Sequence, residues 1–200
     1  MWEIINSSVG LLLIGFICTG VLGAFLNSQI QSRAWERQRK HDLLVRSLSD
    51  GRVLFDEITV LLNRRVFGLL KVLWAIEDGK SREEVLVEWA DYYPTVREWN
   101  EKLQSFRFKI EALAGQEVAD RLLDYGDVAS SDTPNSIHYQ MRRAHSLVLE
   151  LRESIDEEQG SRVHKLAKRQ MNQLQGEAEA FLRTIAQNLL YTERTLKEQL

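Results

Sequence analysis

The stretch Val9–Ile30, VGLLLIGFICTGVLGAFLNSQI, decides the architecture. From Val9 to Leu26 it runs 18 residues without a charge, and a helix needs ~20 apolar residues to cross a bilayer. Inside lipid a helix closes its own backbone hydrogen bonds, which irregular chain cannot do. Trp2 and Trp35 bracket the block at positions that suit interfacial aromatic rings. The opening MWEIINSS carries Glu3 but no Lys or Arg, so the basic start of a cleaved signal peptide is missing. Cys18 follows Ile17 rather than a small residue, which argues against lipoprotein processing. The expectation is a retained anchor in the cell (inner) membrane. A short outer tail and transmembrane helix would occupy residues 1–31, and a cytoplasmic helical bundle residues 32–200.

Charge sets the expected orientation. Arg33, Arg37, Arg39, Lys40 and Arg46 follow the block closely, and no Lys or Arg precedes it. The positive-inside rule then leaves the N-terminus outside and the C-terminal domain in the cytoplasm. Arg33, Arg37, Arg39 and Lys40 would meet lipid headgroups, each gaining ~1 kcal/mol from an anionic surface.

Within the block Gly15, Thr19, Gly23 and Asn27 fall four apart on one helical face, with Gly20, Ala24 and Ser28 beside them. Ile14, Ile17, Val21, Leu22 and Phe25 take the opposite side. Small residues let helix backbones approach, and in lipid that packing holds helices together. Gly15, Thr19, Gly20, Gly23 and Ala24 are therefore the expected surface of self-association.

Beyond the block the pattern is helical. Leu44, Leu48, Phe55, Ile58, Leu62, Val66, Leu69, Leu73 and Ile76 recur at helical spacing. The phase is unchanged across Gly51, so anchor and seam read as one helix to about Glu77, ended by Asp78-Gly79-Lys80. Gly inside a helix costs ~1 kcal/mol relative to Ala, so Gly51→Ala is expected to be neutral or stabilising. Ser81-Arg82-Glu83-Glu84 forms a capping box that opens a short helix, expected to stop before Pro94. Val96, Trp99, Leu103, Phe106, Ile110 and Leu113 mark another helix, interrupted at Gly115. Val118, Leu122 and Tyr125 mark a short one, and Ala129–Ser136 a loop. Two more helices follow, one carrying Ile137, Met141, Ala144, Val148, Leu151 and Ile155, the other running from Ser161 almost to Leu200. Trp74, Trp89 and Trp99 are expected in the core. The fold class is all-α: one transmembrane helix continuing into an elongated antiparallel bundle.

The chemistry is sparse. A net charge of −3 offers no basic field for nucleic acid. One Cys excludes a disulfide framework and Cys-rich zinc sites. His41, His138, His145 and His164 form neither HExxH nor ExxH pairs; His138 and His145, seven apart, share a face without a chelating carboxylate. There is no phosphate-binding glycine motif and no GxSxG elbow. The architecture is similar to helical ribonuclease-like domains, whose motif separates an Arg from the following His by four to six intervening residues. Arg37 to His41, Arg142 to His145 and Arg162 to His164 are too close for it, so no catalytic residue carries over. Asp156-Glu157-Glu158 reads as a solvated helix end. Arg64-Arg65 and Arg142-Arg143 interrupt apolar helices, with ion pairing to a neighbouring Glu as their ordinary role.

No enzyme, cofactor or metal site and no small-molecule substrate is indicated. The partners expected are the lipid bilayer, further copies of the chain and a cytoplasmic protein. The function expected is a homo-oligomeric membrane scaffold or sensor. The alternatives are a pore-forming effector, for which only Thr19 and Asn27 give the block polarity, and a membrane-tethered enzyme.

Overall fold

The computed structural model describes residues 8–124, 136–153 and 160–198; the side chains of 8–14, 17–19, 21, 22, 160 and 161 lie outside that description. All its regular elements are helices: α1 (Ser8–Glu77), α2 (Arg82–Ala114), α3 (Gln116–Leu122), α4 (Ile137–Glu153) and α5 (Gly160–Glu198). Two compact units result, Met1–Arg46 and Ser47–Leu200.

In the first unit α1 carries exposed Phe16, Phe25, Leu26, Ile30 and Trp35. Among the described residues no helix is long and apolar enough to cross a membrane. Much of the apolar block, from Val9 to Ile14 and at Ile17, Cys18, Thr19, Val21 and Leu22, has side chains outside the described residues. What the fold shows is all-helical; it supplies no transmembrane span.

The second unit is an antiparallel bundle, and its inter-helix contacts fix the directions. Arg64 of α1 reaches Glu98 of α2 while Lys71 reaches Glu88, so α2 runs against α1. Arg52 meets Glu193 and Glu77 meets Lys168, so α5 also runs against α1. Trp99 touches His138 while Tyr92 touches His145, which sets α4 against α2. The core these helices enclose includes Ile58, Leu62, Leu69, Trp99, Phe106, Met141, Met171 and Phe181. The α1 seam is wider than the single row of the sequence pattern, since Leu54, Leu61, Val72 and Ala75 are buried too.

Local chemistry sets the helix ends. Gly79, at φ 67°, closes α1: its N–H donates to Ile76 O at 3.1 Å, and the Lys80 N–H donates to Ala75 O at 3.0 Å. Ser81 caps α2, its Oγ accepting from the Glu84 N–H at 3.3 Å while Glu84 Oε2 accepts from the Ser81 N–H at 2.9 Å. Gly115, at φ 89°, separates α2 from α3. Across that turn Arg107 ties the two helices together. It donates to Glu111 at 2.9 Å, to Asp120 at 2.8 Å and to Leu123 O at 3.2 Å.

Three expectations need correction. The helix expected to stop before Pro94 continues through it, as α2 spans 33 residues. Proline removes one backbone bond, to Ala90, and costs ~3 kcal/mol in a helix interior. Ala90 lies on the exposed face. Buried Val85, Tyr92, Val96 and Trp99 on both sides of the proline each gain ~1.5–3 kcal/mol, which outweighs the loss. Trp74 is not core: it is 44% exposed, edge-on to exposed Phe67. Gly51 is helical as expected but for another reason. A Cβ there would stand 2.6 Å from Leu189 Cδ2 and 3.0 Å from Leu113 Cδ1, so the glycine admits close approach of α2 and α5. Displacing those leucine ends offsets the gain in helix propensity, so of the neutral or stabilising outcomes expected for Gly51→Ala the neutral one is kept. The loop at 129–135, Tyr125, Ile155 and Asp156-Glu157-Glu158 lie outside the described residues.

Candidate functional site

The residues singled out for membrane and self-association lie in the first unit. Arg33, Arg37, Arg39 and Lys40 are exposed along α1, as is Ala24. Among the described residues, a methyl group added at Gly20 or Gly23 would meet nothing within 4 Å beyond the helix's own backbone. The Thr19 side chain lies outside the described residues.

The second unit brings together residues that the sequence left apart. Of the pair Arg64-Arg65, Arg64 takes the ordinary role, pairing with Glu98 at 3.3 Å. Arg65 does not. It lies three residues after Leu62 and four before Leu69, on the buried face of α1, and is only 3% exposed. Its Nη1 donates to Asn100 Oδ1 at 3.4 Å, its guanidinium lies 5.5 Å from the centre of the Trp99 ring, and its Nε has no hydrogen-bond partner. The Tyr92 hydroxyl interacts with it as well. All of these neighbours are neutral. Burial pulls the Arg65 pKa down, yet an arginine remains charged at any physiological pH.

Arg65 opens onto a cavity of about 380 Å³ lined by Arg142, His138, His145, Asn100, Val96 and Leu103. The seven-residue spacing of His138 and His145 places both on the α4 face that meets α1 and α2. Trp99 Nε1 donates to His138 Nδ1 at 3.4 Å, which leaves the proton of the neutral ring on Nε2. Tyr92 Oη and His145 Nδ1 are 3.3 Å apart, and the His145 ring lies 4.9 Å from that of Trp89. Tyr92 reaches this position over Gly68, where a Cβ would stand 2.8 Å from Tyr92 Cδ2.

Electrostatically the cavity is one-signed. Burial, then Arg65 and Arg142, push the His138 pKa down to about 4. Burial, then Arg65 and Arg152, push His145 down as well. At neutral pH the lining therefore presents two fixed guanidinium charges, two neutral imidazoles and a carboxamide, with no carboxylate among its residues. Such a set offers no nucleophile paired with a base. Its chemical capacity is to hold negative charge.

The sequence singles out Arg65, Arg142 and the His138/His145 pair, but does not join them to one another or to Tyr92, Trp99 and Asn100. The available signal was Arg65 itself, a permanent cation on the apolar side of a helical wheel. Among the described residues no group of three or more His, Cys, Asp or Glu side chains could hold a metal ion. No family model matches the chain, and neither does any curated protein or solved structure.

Proposed function

We propose that the chain is a single-pass, self-associating membrane scaffold or sensor whose helical bundle lies in the cytoplasm and engages a partner there. The observation that carries this reading is the apolar surface of the first unit. Phe16, Phe25, Leu26 and Ile30 stand exposed on the same helical stretch as a row of glycines. A folded chain in water rarely leaves such a surface uncovered. Acyl chains would cover the bulky side chains and a second copy the glycine row. The basic residues Arg33 to Lys40 would then meet the headgroups of the inner leaflet.

Two measurements test the reading. After carbonate extraction the protein should stay with the membrane, and protease added to spheroplasts should spare residues 32–200. Release by carbonate, or digestion of the bundle from outside, overturns it. Association is tested by native mass of Gly15→Ile/Gly23→Ile beside Ile14→Leu/Val21→Leu. The first pair should lower the oligomer population and the second leave it unchanged. Equal populations would remove the glycine row from the account.

A further inference from the structure

We propose that the cavity around Arg65 is a binding site for a phosphoryl dianion, carried by a small phosphate monoester or a lipid headgroup. This goes beyond the membrane reading and does not depend on it. A buried guanidinium is normally matched by a carboxylate, because desolvating a charge is costly unless it is paired. Arg65 is buried with its Nε unpartnered, while Arg142 from another helix adds a second positive charge to the same cavity.

A phosphate monoester carries about −1.5 to −2 charges near neutral pH, which matches two guanidinium groups. Its oxygens accept hydrogen bonds at several angles, suiting the Arg65 guanidinium, the Arg142 fork, the Asn100 amide and the two imidazoles. A lone carboxylate would neutralise only one of the two cations. The cavity, about 380 Å³, falls within the ~300–1,000 Å³ range of small-molecule sites. Its Val96 and Leu103 wall leaves room for an apolar remainder. The site escapes motif searches because its donors come from three helices rather than from one glycine-rich loop.

The test is calorimetric titration of the full chain in a non-ionic, phosphate-free detergent, with inorganic phosphate as probe and ionic strength held by sodium chloride. Phosphate should bind saturably at one site per chain, and acetate at least about tenfold more weakly. Arg142→Gln, an exposed position that the core does not need, should weaken phosphate binding about tenfold or more. Arg143→Gln, adjacent and outside the cavity, should leave it unchanged. Phosphatidate added to the micelles separates the two sources: competition with phosphate assigns the headgroup, and its absence assigns a soluble monoester. No saturable binding, equal affinity for acetate, or an Arg142→Gln variant that binds like the parent would overturn the proposal.

Discussion

Arg65 and Arg107 are both buried guanidinium groups, at 3% and 8% exposure, and their surroundings are opposite. Arg107 holds two carboxylates and a backbone carbonyl across the turn between α2 and α3. Arg65 holds an amide oxygen and lies against an aromatic ring and a phenol, with one N–H left over. The first arrangement is complete and joins two helices. The second is incomplete at the wall of a cavity. Burial of a charge does not by itself reveal its purpose; the sign and completeness of its neighbours do.

The largest effect should separate the two arginines when each is replaced by methionine. Arg107→Met leaves Glu111 and Asp120 without their cation. Both are partly exposed, so water recovers some of the loss, and we expect destabilisation of about 2–3 kcal/mol. Arg65→Met removes a desolvated charge that has no counter-ion among the described residues, and should fall within about 1 kcal/mol of the parent or be more stable. Denaturant titration of both variants decides. The reverse order would mean that Arg65 is a structural residue.

A smaller effect separates the two glycines at which helices approach closely. Gly68→Ala pushes against the ring of Tyr92, a stiff group held between Arg65 and His145, and should cost about 1–2 kcal/mol once the gain in helix propensity is counted. Gly51→Ala meets only the methyl ends of Leu189 and Leu113, which rotate more easily, so its net change should stay within about 1 kcal/mol of zero. If Gly51→Ala proved the more costly, Tyr92 would not be a rigid neighbour of Gly68.

These contrasts also show what the sequence made legible. The seam from Leu48 to Ile76, the capping box at Ser81 and the stop at Gly79 are local patterns, and each appears where the periodicity or the cap chemistry put it. Pro94 and Trp74 misled because tertiary packing decides them. Flanking core contacts carry α2 through the proline, and the seven-residue row Val53, Val60, Phe67 and Trp74 lies on the exposed side of α1. Arg65, Arg142, His138 and His145 were each conspicuous, but nothing along the chain says that residues 77 positions apart share a cavity. That follows only from how α1, α2 and α4 pack.

The pH dependence of stability gives a subtler contrast. His138 and His145 have folded pKa values below the ordinary 6.5, so between that value and about 4 the unfolded chain binds more protons than the folded one. Stability should therefore be fully present above pH 6.5 and decline as the pH falls toward 5. Glu84, Glu88 and Glu193 are held below their ordinary value by the Ser81 amide, Lys71 and Lys197 respectively. They keep their charge in that window and weaken the fold only at lower pH. His138→Gln should flatten the decline between pH 6.5 and 5. An unchanged slope would place His138 outside the one-signed field described above.

The most direct test is the proton NMR titration of His138 in the full chain, with and without saturating inorganic phosphate. His138 lies under Arg65 from α1, Arg142 from its own helix and Trp99 Nε1 from α2, so it reports the field of the cavity. Without phosphate it should remain neutral at pH 5.5, consistent with a pKa near 4. With phosphate bound, its negative charge offsets part of the guanidinium field and the titration should move up measurably. A His138 that titrates near 6.5 in the free protein, or whose titration ignores phosphate, would contradict the account.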